Sequence, residues 1–197
     1  MAQRGPYSKS AALRAQILDE ALRIIGDNGY TGATVQQIAD AVGMSKPGVL
    51  HHFGSRDALF TAILQRRDEV NAGGYSMDSF TVEDLIATVR HNTTVPGLVA
   101  LYSALTGEAT SHGELSTSRE FFADRYRMVV GALTEAVRLA QVNGLVDLDR
   151  DPAVIARLLT AASDGLQTQW LLDPSIDMAA DLEELWRTVL VGPPGRP

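Results

Sequence analysis

The chain has 197 residues, 45% of them hydrophobic, a formal net charge of -7 and no cysteine. That apolar content is enough to bury a core and excludes a disordered chain, while the missing cysteines exclude a disulfide framework, thiol catalysis and cysteine-ligated zinc. The opening MAQRGPYSKS holds no secretory apolar run, and no segment reaches the roughly 18 apolar residues of a membrane span, so the sequence reads as soluble and cytoplasmic, with no membrane partner.

Charge is divided unevenly. Residues 1–67 carry eight Lys and Arg against five acids, a net +3, whereas the remainder carries nine against nineteen, a net -10. Such asymmetry suits a basic head that meets an anion and an acidic body that does not. Apolar residues recur at helical spacing nearly throughout, which predicts an all-α protein of about nine helices. Leu13, Ile17, Ala21, Ile24 and Ile25 form one face of a first helix, expected to end at GDNGY, where Gly26 and Gly29 permit a turn.

The stretch TVQQIADAVGMSKPGVLHHFGSRDALF, 34–60, stops and restarts a helix. Thr34 with Gln37 forms a capping box, and Gly43 ends the helix whose inner face is Val35, Ile38 and Ala39. Ser45 caps a second short helix with Pro47 in its first turn; Gly54 ends it and Ser55 caps the next. Two short helices joined by a Gly-containing turn are the outline of a helix-turn-helix. With Val49 and Phe53 inward, Lys46, Pro47, Leu50 and His51 project outward near a helix N-terminus, as recognition-helix residues do at base edges. Thr34, Ser45 and Ser55 sit at helix starts, where hydroxyls and free N–H groups suit phosphate oxygens, and Gly48 permits close approach to DNA.

The helix from about residue 55 to 67 leads to the Gly-rich NAGGYSMD, 71–78, the expected junction between a DNA-binding domain, 1–67, and a helical body, 68–197. Val82, Leu85, Ile86 and Val89 mark the next helix, broken at Pro96 and Gly97. LVALYSALTGEA is apolar nearly all round and is expected at the centre of the body. A long helix carries Phe122, Tyr126, Val129, Val130, Leu133 and Val137 and stops at Asn143 and Gly144. Asp151 and Pro152 then open another helix as cap and first position. The acids Asp147, Asp149 and Asp151 lack the Gly and Glu of a calcium loop, so no metal site is expected.

The pattern Gly-x-Ser-Lys followed by Leu-His-His-Phe-x-Ser-Arg-x-x-Leu resembles the DNA-binding signature of the tetracycline-repressor-like (TetR) family over about residues 10–65. The resemblance implies a homodimeric regulator bound to double-stranded operator DNA through a pseudo-palindrome. It implies His51 toward bases, and His52 and Arg56 toward phosphate. Gly48 stands where that family often has a hydroxyl residue and Leu50 where it usually has Tyr; Leu50 cannot donate to phosphate, which leaves an apolar contact to sugar or thymine methyl. Arg4 and Lys9 are candidates for a mobile basic arm, or for a plain disordered terminus.

In that family the body binds a small effector and dimerises. His91, Tyr102, Thr106 and Gln167 are polar positions on otherwise apolar helices, which suits either satisfied core groups or an apolar pocket with a few orienting ones. The helices over 153–171 and 178–191 each carry an apolar face. Leu158, Ala162, Gly165, Leu185, Trp186 and Val189 are the candidate residues of a four-helix dimer interface. A repressor released by a small apolar ligand is therefore expected, with a regulator lacking any effector as the alternative. No cofactor is expected, and the absence of a Gly-rich phosphate loop, His-Glu-x-x-His or Gly-x-Ser-x-Gly argues against an enzyme.

Overall fold

A computed structural model describes residues 6–71, 79–111 and 116–190. The described residues form α-helices and connecting turns only: α1 (Pro6–Gly32), α2 (Val35–Ala41), α3 (Lys46–Phe53), α4 (Arg56–Asn71), α5 (Val82–Asn92), α6 (Pro96–Ser111), α7 (Thr117–Val142), α8 (Pro152–Leu172) and α9 (Met178–Val189). Arg4 and most of the Gly-rich junction lie outside the described residues, as do the side chain of Lys9 and the end of the last expected helix at residue 191.

Two compact units organise the chain, and they do not follow a single cut. The first contains Met1–Gly73 together with Val95–Phe121; the second contains Gly74–Thr94 and Phe122–Pro197. In the first, α1 packs against α2, α4 and α6, and α3 against α2 and α4. Ile17, Ala21 and Ile25 of α1, Ile38 and Ala39 of α2, Val49 of α3, and Leu59, Ile63 and Leu64 of α4 are buried together with Leu101 and Leu105 of α6. The nearly all-round apolar character of α6 thus reflects burial against α1 and α4, rather than a place at the centre of the second unit.

A close backbone approach makes this packing possible. A Cβ on Gly97 would stand 2.2 Å from the carbonyl oxygen of Ile25, so α6 meets α1 at a distance only glycine allows. The GDNGY expectation is met in part. Gly26 stays within the helix, while Gly29 breaks it with φ 73 and ψ 168, and one further turn follows.

In the second unit α9 packs against both α5 and α8. Val82, Leu85, Ile86 and Val89 of α5, Leu133 and Val137 of α7, Ile155, Ala156 and Leu159 of α8, and Met178 and Leu182 of α9 supply the core. Local caps set the helix starts. Asp151 accepts from the Ala153 amide at 2.8 Å, with Pro152 in the first turn, and Thr81 and Asp84 form a capping box at α5 that the sequence reading did not single out. Among the described residues no helix is long and apolar enough to cross a membrane.

Candidate nucleic-acid interface

The expected stops and starts are present in α2, α3 and the turn between them. Thr34 Oγ1 accepts from the Gln37 amide at 3.2 Å, while the Thr34 amide donates to Gln37 Oε1 at 2.8 Å, closing the capping box. Gly43 takes φ 68 and turns the chain into Ser45, whose Oγ accepts from the Gly48 amide at 3.2 Å and opens α3. Gly54, φ 88, ends α3, and Ser55 Oγ accepts from the Ala58 amide at 3.0 Å to open α4. Only glycine adopts these positive-φ backbones without strain, so the punctuation is conformational.

Val49 and Phe53 are the buried residues of α3. The opposite side presents Ser45, Lys46, Pro47 and His51 as exposed residues, with Gly48, Leu50 and His52 half-buried beside them. Because the hydroxyl of Ser45 caps as an acceptor, its hydrogen remains available to a phosphate oxygen. A methyl on Gly48 would approach Ser45 Oγ to 3.2 Å, so this glycine leaves room for the cap. Thr34 is exposed at the start of α2, but its hydroxyl also donates to Gln37 Oε1 at 2.9 Å.

Arg56 lies exposed in the first turn of α4 and is held from three sides. Its guanidinium donates to the Tyr30 hydroxyl at 3.1 Å, lies 4.7 Å from the centroid of the Phe60 ring, and faces Glu108 of α6 at 3.7 Å. Burial tends to lower its pKa, but the Tyr30 hydroxyl and the Glu108 carboxylate outweigh this and raise it, so the side chain is a permanent cation. Sequence reasoning missed Tyr30 and Glu108 because 26 and 52 residues separate them from Arg56, and no local spacing signals such partners. It also missed Arg14 of α1, which donates through Nη1 to the carbonyl oxygen of His52 and lies 4.2 Å over the ring of Phe53.

The expected effector residues divide between the two units. Tyr102 and Thr106 stand on α6 in the first, and His91 and Gln167 in the second. Tyr102 is buried, with the Arg67 guanidinium 5.9 Å from its ring centroid, and Thr106 is bonded back to the Tyr102 carbonyl at 2.8 Å. Gln167 is buried on α8 beside Ser163. His91 is exposed on α5, and Asn92 is the buried polar residue there.

The expected dimer residues are also sorted by phase. Leu158 is 60% exposed, Gly165 is exposed, and Ala162, Leu185 and Val189 are half-buried. Trp186, expected in that set, is only 8% exposed within its own chain. Leu158, Val154, Leu185 and Val189 line a groove of about 300 Å³, with Arg150 and Asp151 at its edge.

A capped, glycine-punctuated helix pair that presents Lys46 and His51 to solvent defines a helix-turn-helix regulator of transcription. Residues 17–63 match the family described as bacterial regulatory proteins, tetR family, and residues 82–191 match the BetI-type transcriptional repressor C-terminal domain. The chain is a member of the TetR family. It is 31% identical over 159 residues to the HTH-type transcriptional repressor Rv1474c of Mycobacterium tuberculosis, covering 79% of this chain and 81% of that protein. AcnR, an HTH-type transcriptional repressor of Corynebacterium efficiens, is 42% identical over 50 residues, a quarter of each chain. SmeT, the repressor of a multidrug efflux pump in Stenotrophomonas maltophilia, shares the fold with a TM-score of 0.64 at 21% identity, over 93% of this chain and 94% of that one. These relatives are regulators of transcription and not enzymes.

Proposed function

We propose that this DNA-binding regulator acts as a homodimeric repressor that leaves a pseudo-palindromic operator when a small apolar molecule binds its helical body. The observation that carries the dimer is the face of α8. Leu158 is 60% exposed and Leu172 84% exposed, and the groove of about 300 Å³ beside Leu158 is walled by Leu185 and Val189. An apolar surface of this kind is costly in water and is covered when α8 and α9 of two copies form a four-helix interface. Two copies present two α3 helices, which read half-sites about 34 to 36 Å apart. Lys46, His52, Arg56, Thr34 and Ser45 then serve phosphates, and Pro47, Gly48, Leu50 and His51 face the groove of the DNA. Repression follows the two relatives that carry that name.

For the effector, the buried Tyr102 of the first unit is the polar group that would orient an apolar ligand. A regulator without an effector is favoured by one observation: Thr106 and Gln167 already bond within their own helices, to the Tyr102 carbonyl at 2.8 Å and the Ser163 carbonyl at 3.5 Å. Sedimentation of the wild-type protein and of Leu158→Glu tests the dimer. The expected result is a wild-type dimer at micromolar concentration and a helical Leu158→Glu monomer with lost operator affinity; a monomeric wild type would overturn it.

A further inference from the structure

We propose that Arg14 is a positioning residue for operator recognition, acting on the orientation of α3 and not on DNA. Gly54 turns away at φ 88 after its amide has bonded the Leu50 carbonyl, so the last carbonyls of α3 have no helical donors of their own. Arg14 supplies one of them, donating to the carbonyl of His52, and lies 4.2 Å over Phe53, the inward anchor of the same turn. A cation there also complements the negative end of the helix dipole.

The helix is held as well by its Ser45 cap, by the buried side chains of Val49 and Phe53 and by packing against α2 and α4, but at its last carbonyls Arg14 is the side-chain donor that acts on the backbone. An eight-residue helix is about 12 Å long, so a tilt of about 10° at the unpinned end displaces the other end by about 2 Å, enough to break a hydrogen bond to a base. Arg14 itself is half-buried, with its guanidinium committed to a carbonyl and a ring face, which leaves it poorly placed as a phosphate ligand. Its effect therefore falls on specific binding, where Leu50 and His51 must meet particular bases, and not on the loose electrostatic binding of any duplex.

The test uses the full-length protein, the duplex that wild type selects from a randomised pool, and a scrambled duplex of equal length, each titrated across a salt series. Arg14→Met should lose about tenfold on the selected duplex, the scale of one charge-assisted hydrogen bond. On the scrambled duplex it should lose less than about twofold, and the salt slope should stay at the wild-type value. Arg14→Lys, whose ammonium still reaches a carbonyl but does not stack, should lose about threefold on the selected duplex alone, and it carries the test should Arg14→Met fail to fold. Wild-type affinity in both variants would overturn the proposal. An equal loss on both duplexes with a slope lowered by about one would make Arg14 a phosphate contact instead.

Discussion

Gly97→Ala places a methyl group where α6 lies directly on the backbone of α1. The new Cβ would stand 2.2 Å from the Ile25 carbonyl oxygen and 3.1 Å from the Gly29 Cα. A relaxed C···O contact is about 3.3 Å or longer, so α6 must withdraw by about 1 Å, and neither obstructing atom belongs to a side chain that can swing aside. Overpacking of this kind costs about 1 to 3 kcal/mol, and for a chain of this length each kcal/mol lowers Tm by roughly 2 to 4 °C. The expected fall is therefore roughly 2 to 12 °C, read by circular dichroism. Gly107→Ala is the internal control on the same helix: nothing lies within 4 Å of its Cβ, and the gain in helix propensity of up to about 1 kcal/mol should hold or raise Tm. A Gly97→Ala protein that melts at or above the wild-type temperature would refute the close-packed account of α1 and α6.

Thr34→Ala removes the hydroxyl that accepts from the Gln37 amide, while the backbone amide at 34 still donates to Gln37 Oε1, and should cost about 1 kcal/mol, visible as a lower melting temperature, whereas an unchanged value would leave the hydroxyl cap without energetic weight. Lys46→Ala should weaken binding to all duplexes and lower the salt slope by about one, while His51→Ala should relax preference at a single base position at fixed salt. Tyr102 is buried, so Tyr102→Phe probes its hydroxyl without opening a cavity; the variant should bind operator like wild type in the absence of effector but respond less to it. An unaltered response in Tyr102→Phe would remove that residue from the effector site.

Features governed by neighbours within about four residues were legible in the sequence. The caps of Thr34, Ser45, Ser55 and Asp151, and the positive-φ glycines 43 and 54, all depend on local hydrogen bonds and backbone sterics. So was the inward pair Val49 and Phe53, because helical phase alone assigns it. The destination of an apolar face was not legible in the same way. The apolar pattern of α6 says that it is buried, but only the Gly97 approach to Ile25 reveals that α1 covers it. Trp186 shows the same ambiguity on α9, where an apolar face can turn to its own core or to a second copy. Long side chains acting across the fold were invisible: Arg14 reaches His52 over 38 residues, and Arg56 faces Glu108 on a different helix. On α5 the sequence named His91, whereas the polar residue that is buried is Asn92, a difference of one position in helical phase.

Selection of bound duplexes from a randomised pool by the wild-type protein tests the central claim most directly, because a dimer that displays two α3 helices requires two-fold symmetry in what it binds. The account predicts enrichment of an inverted repeat whose half-site centres lie about one helical turn apart, and loss of that enrichment in Leu158→Glu. Recovery of no common sequence, or of a single half-site bound equally well by Leu158→Glu, would contradict it.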